Sequence, residues 1–368
     1  HGLVAWRLLP ALDPAWAAGL APVLLASALL LPMGLLAHRV ARGALADRLA
    51  WVGLLCMGLF SSLLVLTALR DVMLAAVWVA ATLGWSPAQA LLPGLRADSA
   101  VLVPLAALVV TVLGFWNARR TARVVRVDVP VAALPAALEG FTVAQLTDIH
   151  VGPTIKQHYL QAIVHKVNAL EADMVAITGD LVDGKVHELA DHVAPLAQLR
   201  SRHGSFFVTG NHEYYSGAHA WMAELRRLGV RVLMNEHVVL QQNQAAVVLA
   251  GVADFHADRF DPSHRSDPHA AIAGAPLDAG VRLLLAHQPR SAFEAAKAGF
   301  DVQLSGHTHG GQFWPWNLFV PLQQPFTAGL RRLQDLWVYT SRGTGYWGPP
   351  KRFGAPSEIT LLRLVAAR

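Results

Sequence analysis

The run Phe300-Asp301-Val302-Gln303-Leu304 leads into Gly306-His307-Thr308-His309-Gly310-Gly311-Gln312, where two histidines lie between glycines at the end of a strand-like segment. Two histidines separated by one residue can direct both imidazoles to one point. Four upstream segments leave an apolar run in the same way: Asp148-Ile149-His150, Gly179-Asp180, Gly210-Asn211-His212-Glu213 and His287. Loops beyond the carboxyl ends of strands in open α/β sheets face one crevice, so we expect the five segments to converge.

Outside these segments, apolar strands, polar loops and amphipathic helices alternate, which indicates an α/β fold. Residues 174–178 form a continuous apolar run, typical of a strand that is buried on both faces. Residues 159–170 carry apolar side chains at helical spacing. The sequence further predicts helices over 187–199, 218–228 and 291–298, a hairpin of 238–240 with 246–250, and strands over 123–130, 141–146, 206–209, 281–286, 336–340 and 359–365.

The first third of the chain has the composition of a membrane region. Of 368 residues, 54% are hydrophobic and only 15% are charged, with a mean hydropathy of +0.38. Residues 1–118 contain no Lys and no Glu, and three apolar stretches, 15–37, 51–69 and 101–116, are each long enough to cross or nearly cross a ~30 Å hydrocarbon layer. We therefore expect a transmembrane helical region over 1–118 and a soluble domain over 119–368.

Residues 72–92 leave the number of spans open. We expect a helix that continues from Leu69 and then lies at the membrane interface; a fourth span is the alternative. Positive loops prefer the cytoplasm, and three spans place both basic clusters on one side. These clusters are Arg39, Arg42 and Arg48, and Arg119, Arg120, Arg123 and Arg126. The expectation is a multi-pass inner-membrane protein with its soluble domain, residues 119–368, on the cytoplasmic face, although a chain that begins at His1 without Met could lack upstream sequence.

Charge and cysteine content narrow the classes of function. The net charge is +5 and the pI about 9.6, but the arginines are scattered or lie beside apolar runs, so we expect membrane flanking and no nucleic-acid partner. The single Cys56 offers neither a disulfide nor a thiolate metal set. Residues 254–274 contain His256, His264 and His269, for which a solvated loop is favoured over a second metal site because no predicted element orders them.

Carboxylate, imidazole and amide ligands without thiolate suit hard to borderline divalent ions. Two such ions need a bridging carboxylate and can hold a hydroxide that is nucleophilic at neutral pH. They can also stabilise the oxygens of a transferred phosphoryl group. His212, beside the candidate amide ligand Asn211, could protonate the leaving oxygen, with Asp183 orienting it.

The five segments resemble the motifs of calcineurin-like metallophosphoesterases in order and spacing, and the stretch Thr340-Ser341-Arg342-Gly343-Thr344-Gly345-Tyr346-Trp347-Gly348-Pro349-Pro350 resembles their bacterial membrane-anchored branch. The resemblance implies a four-layer α/β/β/α sandwich and a hydrolase with a dinuclear centre of Mn (manganese), Fe or Zn. It implies that Asp148, His150, Asp180 and His309 hold the first metal, and that Asp180 (bridging), Asn211, His287 and His307 hold the second. His212 would face the scissile phosphate, with Asp183 behind it.

The resemblance and the membrane region together predict a membrane-anchored phosphodiesterase, phosphatase or pyrophosphatase. The apolar loop after the histidine pair, 313–321, includes Trp314 and Trp316, which suit the headgroup level of a bilayer and suggest a lipid-linked substrate. The resemblance also implies a nucleotide-linked substrate. A loop packed over the sandwich edge is the alternative for this stretch. For the whole chain, the alternatives are a membrane sensor or scaffold that binds ligand without turnover and, less favoured, a transporter, because no inverted repeat is visible.

Overall fold

The computed structural model describes residues 1–367, which form two compact units. The first is helical and comprises residues 1–119 with 348–353. The second is built on two β-sheets and comprises residues 120–347 with the chain from 354 onward.

The helical unit contains three helices that are long and apolar enough to cross a membrane. They are α2 (Pro14–Leu35), α4 (Gly43–Thr82) and α5 (Ser86–Arg119), and two short helices, α1 (Gly2–Leu8) and α3 (Ala37–Val40), precede and follow α2. The expected continuation beyond Leu69 is present, since α4 runs without a break to Thr82. Residues 86–92 instead begin α5, after Gly84 at φ +89°.

Small residues allow α2 and α4 to approach closely. A Cβ on Gly34 would lie 2.5 Å from Cα of Gly53, which is inside van der Waals contact. Interfaces between helices in lipid are enriched in such small residues because packing replaces the hydrophobic effect there. The crossing therefore requires glycine on both helices.

Two buried cations are hydrogen-bonded inside the helical unit. The Arg70 guanidinium donates to Ser99 Oγ at 2.9 Å and to the carbonyls of Arg7 and Arg96. Lys351, from the segment 348–353, donates from Nζ to Gly58 O at 2.8 Å and to Ser62 Oγ at 2.5 Å. Buried charges are tolerated only when they are paired or fully hydrogen-bonded, and both side chains meet that condition.

The second unit is built on two six-stranded sheets. In the first the order is β1-β12-β2-β3-β4-β5, with all neighbours parallel except β12 and β2. In the second it is β10-β11-β9-β8-β7-β6, with antiparallel pairs only at the two edges. The strands are β1 Arg123–Val131, β2 Thr142–Leu146, β3 Met174–Ile177, β4 Ser205–Phe207, β5 Arg231–Val232, β6 Glu236–Gln242, β7 Ala245–Gly251, β8 Val281–Leu285, β9 Val302–Ser305, β10 Gly329–Leu333, β11 Leu336–Thr340 and β12 Glu358–Ala366.

Buried apolar side chains from both sheets form one core, to which Val143 and Phe206 contribute from the first sheet and Leu283 and Leu304 from the second. Helices cover the outer faces, and on the second sheet α10 and α11 form a further buried cluster with β7, β8 and β11. The predicted α/β/β/α sandwich is thereby confirmed. The helices are α6 Gln157–Asn168, α7 Val186–Val193, α8 Asn211–Ser216, α9 Ala218–Arg227, α10 Pro268–Ile272 and α11 Ala292–Lys297.

Several element boundaries differ from the prediction. The helix expected over 187–199 ends at Val193, because Pro195 lacks an N–H, and continues as a 3₁₀ turn, Ala194–Gln198. Strands β5 and β10 were not predicted, because β5 has only two residues and β10 contains two adjacent arginines that interrupt its apolar pattern. Residues 254–274, expected as loop, contain two 3₁₀ turns and α10.

Candidate metal centre

The sheet topology brings the candidate ligands to one edge. The parallel neighbours β2, β3 and β4 end just before Asp148, Asp180 and Asn211, and β8 and β9 end just before His287 and the His307–His309 pair. The carboxyl ends of neighbouring parallel strands lie at the same edge of a sheet. The expected convergence of the five segments is therefore found in the structure.

One cluster of ligand-type atoms contains Asp148, His150 and His309. The Nε2 atoms of His150 and His309 are 3.1 Å apart, and His309 Nε2 lies 3.3 Å from Asp148 Oδ1. Thr147 donates its hydroxyl to Asp148 Oδ2 at 2.7 Å, which fixes the carboxylate. Burial raises the pKa of Asp148 against the opposing effect of the nearby histidines. A carboxylate and two imidazole nitrogens thus face one point.

A second cluster contains Asp180, His287 and His307. His287 Nε2 lies 3.1 Å from Asp180 Oδ2 and 3.2 Å from His307 Nδ1. The other His287 nitrogen, Nδ1, lies 2.8 Å from the Thr178 carbonyl, an outer contact that typically sets the tautomer of a ligating histidine. Asp180 also groups with His150 and His212, and its Oδ2 lies 4.0 Å from His150 Nε2, so the same carboxylate faces both clusters.

The side-chain oxygen of Asn211 indicates whether this arrangement fits a cation. Its Oδ1 is buried and has no hydrogen-bond partner among the described residues. The residues on either side both contact Asp180: His212 donates its N–H to Asp180 Oδ1 at 2.9 Å, and Gly210 packs directly against that carboxylate. A buried amide oxygen without a donor is costly unless a ligand or ion completes it. The donor set of carboxylate, imidazole and amide oxygen suits a divalent metal.

His212 and Asp183 form a pair beside these clusters. His212 Nδ1 lies 2.6 Å from Asp183 Oδ1, and the same oxygen lies 3.1 Å from His150 Nδ1. Burial alone would lower the pKa of His212, but the carboxylates of Asp180 and then Asp183 raise it to about 9. The side chain of His212 is 15% exposed, and its Nε2 lies 4.0 Å from Asp180 Oδ2, so the ring edge that is not bonded to Asp183 faces the ligand clusters.

The backbone at the site is held in an uncommon conformation. Twelve non-glycine residues in the described part of the chain have positive φ, and five of them are candidate ligands: Asp148, His150, Asp180, His307 and His309. Such conformations cost energy and persist where the surrounding structure imposes them, most often at functional sites. Gly179, at φ +84°, allows the close approach of Gly210, since a Cβ there would lie 2.6 Å from Gly210 N. The strain is concentrated where the ligands converge.

Sequence reasoning did not assign a role to Glu213. Its buried carboxylate accepts the N–H groups of Gly210 at 2.6 Å, Leu181 at 2.8 Å and Asp180 at 3.0 Å. It therefore joins the loop after β3 to the loop after β4. The only sequence signal was its position after Gly-Asn-His, which gives no indication of three backbone partners.

Trp347 was also missed as a site residue. Its ring is 5.6 Å from the His212 ring and is 55% exposed, and its backbone exchanges two hydrogen bonds with the Gln312 amide. The predicted substrate-contact residues Trp314 and Trp316 are 41% and 42% exposed, within a loop where Leu318 and Phe319 are also exposed. The loop thus presents apolar surface to solvent.

Comparison with known proteins agrees with this geometry. Residues 141–311 match the model of the calcineurin-like phosphoesterase family. A Bos taurus protein named "Transmembrane protein with metallophosphoesterase domain" is 42% identical over 284 residues, covering 74% of this chain and 63% of its own length. An uncharacterized metallophosphoesterase of Aquifex aeolicus is 31% identical over 244 residues, covering 66% of this chain and 91% of its own length.

The chain thus spans 63% of the length of the first curated relatives it matches. Among solved structures, a 5'-nucleotidase precursor of Thermus thermophilus aligns with a TM-score of 0.41 at 14% identity. That alignment covers 61% of this chain and 55% of the nucleotidase chain.

Proposed function

Because this chain belongs to the calcineurin-like phosphoesterase family, we propose that it is a membrane-anchored, metal-dependent enzyme that hydrolyses phosphoester or pyrophosphate bonds. The observation that carries the proposal is the pair of ligand clusters on either side of Asp180, with the unpartnered Asn211 oxygen beside them. A pocket that only bound phosphate would present N–H and guanidinium donors. This one presents carboxylate, imidazole and amide ligands, which bind cations.

Two divalent ions fit the clusters, and we assign the ligands as follows. Asp148, His150, Asp180 and His309 hold one ion, and Asp180, Asn211, His287 and His307 hold the other. When bound, such ions lower the pKa of coordinated water and neutralise charge on phosphoryl oxygens. The ligand set is compatible with Mn, Fe or Zn.

His212 is the general acid in this proposal. The Asp183 carboxylate accepts the Nδ1 proton of His212, and His212 Nε2 lies 4.0 Å from Asp180 Oδ2, so a proton on Nε2 would face the ligand clusters. Donation of that proton to the leaving oxygen neutralises the charge that develops when the ester bond breaks. Asp183 acts through His212 and is a positioning residue.

The substrate we propose is lipid-linked, with a nucleotide-linked lipid as one form. The exposed loop that contains Trp314 and Trp316 directly follows His309 and is tied through Gln312 to Trp347, which lies against His212. Exposed tryptophans favour the headgroup level of a bilayer. The loop would therefore place the metal centre close to a headgroup phosphate.

We further propose that residues 1–118 are a multi-pass anchor in the inner membrane and that residues 119–368 form the catalytic domain. Three apolar helices and the arginines that follow α2 and α5 support this orientation. The positive-inside rule then places the catalytic domain on the cytoplasmic face. Cleavage of tags fused at either terminus, in sealed and in opened vesicles, tests the orientation.

The catalytic test uses the full chain in detergent with Mn²⁺ added and measures turnover of an aryl phosphodiester and an aryl phosphomonoester. We expect metal-dependent turnover of at least one ester and its loss in Asp180→Ala and His212→Ala. A folded protein that turns over neither ester would favour the sensor or scaffold alternative.

The substrate test compares a soluble ester with the same ester on a lipid, using Trp314→Ala and Trp316→Ala. Leu277→Ala, which removes a 92% exposed side chain outside the loop, is the control. We expect a selective loss on the lipid-borne ester, and an equal loss on both would reject the role of the loop.

A further inference from the structure

A third group of metal-ligand atoms lies outside the candidate centre. His219, Asp261 and His264, here called the rim cluster, each direct one ligand atom into a volume where all three atoms lie within 4.8 Å of one another. His219 Nε2 lies 3.0 Å from Asp261 Oδ2, and His264 Nε2 lies 3.8 Å from the same oxygen. Donors ~2.0–2.2 Å from a tetrahedral zinc ion are separated by roughly 3.3 Å, a value that these two distances bracket.

The atoms not directed at this volume are held by outer partners. His264 Nδ1 lies 3.0 Å from the Tyr214 hydroxyl, and Asp261 Oδ1 accepts the N–H and hydroxyl of Ser263 at 2.9 and 2.6 Å. This leaves His264 Nε2 and Asp261 Oδ2 for the cluster. Ligating histidines and carboxylates in metalloproteins are typically fixed in this way by hydrogen bonds on their far side.

Exposure within the rim cluster is graded. The side chains of His264 and Asp261 are 15% and 28% exposed, whereas that of His219 is 72% exposed. Two of the candidate ligands are therefore partly buried, and the third lies at the surface. Two imidazoles and one carboxylate with an open fourth position form a donor set typical of zinc and unsuited to calcium or magnesium.

The rim cluster is connected to the candidate centre by ring contacts. Phe260, next to Asp261, packs against Tyr214 and Tyr215 with centroids 5.7 and 5.5 Å apart. The Tyr215 ring lies 5.2 Å from that of His212. Tyr214 and Tyr215 belong to α8, the helix that begins at Asn211, and His219 lies in the first turn of α9.

We propose that the rim cluster binds one transition-metal ion, with Zn²⁺ the best match, which fastens the segment around Phe260 to the helices that carry His212 and His219. The ion is a positioning element: it touches no group of the two ligand clusters around Asp180. An ion pair between His219 and Asp261 alone would not explain why His264 also directs Nε2 at the same carboxylate oxygen.

The test measures bound zinc in the full chain in detergent, by equilibrium dialysis at a fixed free zinc concentration. Wild type is compared with His219→Ala, and His269→Ala is the control because His269 is also an exposed histidine near a carboxylate, Glu294, but lies outside the cluster. We expect one equivalent less zinc in His219→Ala than in wild type and no change in His269→Ala. His219 is exposed, so its substitution leaves the fold intact. The same zinc content in all three proteins would overturn the proposal.

Hydrogen exchange provides a second readout that does not depend on activity. Zinc should slow amide exchange in residues 256–266 of wild type and not of His219→Ala or His264→Ala. Protection of this segment by zinc in all three proteins would assign the effect to the Asp180 clusters and reject the rim site. All of these variants keep both Asp180 clusters. A negative result for the rim cluster would therefore not count against the proposed function.

Discussion

Glu213 provides a direct test of how the two ligand-bearing loops are held. Its carboxylate accepts three backbone N–H groups, from Asp180, Leu181 and Gly210, and is fully buried. Glu213→Ala leaves three buried donors without partners, each of which costs about 1–3 kcal/mol. Removal of a buried carboxylate also relieves its own desolvation cost. The expected net loss is therefore near the lower end of that sum, about 3–5 kcal/mol.

Glu213→Gln gives a graded comparison. Its amide oxygen can still accept the two N–H groups that now share Oε2, but its NH₂ group would face the Leu181 N–H, so one pairing is lost. One unsatisfied donor predicts a loss of about 1–3 kcal/mol, smaller than that of the alanine variant. Outer-shell substitutions of this kind also weaken metal affinity by about 10–100-fold.

Amide hydrogen exchange of the full chain in detergent measures the effect locally. A loss of about 1.4 kcal/mol speeds exchange from a locally opened state about tenfold. The amides of residues 180, 181 and 210 should therefore exchange at least tenfold faster in Glu213→Ala, with a smaller change in Glu213→Gln. Equal rates in the two variants, or rates unchanged from wild type, would refute the hydrogen-bond argument.

The remaining predictions concern the metal site and the helices. Asp183→Asn should lower kcat by about 10–100-fold, with KM changed far less, because it weakens the hydrogen bond that orients His212. Steady-state kinetics measure both constants, with Asp191→Asn, at an exposed position of α7, as the control. Equal losses of activity in the two variants would contradict the prediction. Chelation should abolish turnover and lower thermal stability, because buried carboxylates lose their cations. Metal at about 100 times its Kd should restore about 2.7 kcal/mol of unfolding free energy. A melting temperature that does not change with added metal would argue against the ligand assignment. Gly53→Leu should destabilise the helical unit by about 1–3 kcal/mol, because the new side chain would collide with α2 at Gly34 and Leu30. Gly19→Leu, where nothing lies within 4 Å of an added Cβ, should not destabilise it. Thermal unfolding in detergent measures both variants, and equal midpoints would show that α2 and α4 pack less closely than described.

The convergence of the candidate ligands could be predicted because each of them lies beside a local signal. An apolar run ending at Gly179-Asp180 or before His307 indicates the edge of a sheet, and the rule that parallel strands share that edge supplies the convergence. No distance between ligands is needed for that inference. The apolar spans were predictable for the same reason, since length and hydropathy are local properties.

Contacts between distant residues were not predictable in this way. The three partners of Glu213 are backbone groups, which leave no trace in residue type. Trp347 reaches His212 from a distant part of the chain, and His219 meets Asp261 although they belong to different elements. Of the three histidines noted within 254–274, only His264 joins a cluster; His256 bonds Gln288, and His269 faces Glu294.

The segment Gly348–Phe353 belongs to the helical unit although the chain on both sides of it belongs to the other. Inside that unit, Lys351 places its ammonium against Gly58 and Ser62, and Arg352 donates its N–H to the Gly114 carbonyl at 2.8 Å. A Cβ on Gly114 would collide with the Lys351 side chain, at 2.6 Å from its Cγ.

A protease that cut only between Arg119 and Arg120 would therefore leave the segment Gly348–Phe353 held by contacts within the helical unit. The released chain would still carry six residues lodged among helices, and extracting them would strip a buried ammonium of its partners. Shedding would require a second event that dislodges Lys351. For the same reason, a fragment that begins at residue 120 would expose Lys351 and Arg352, which the full chain keeps buried.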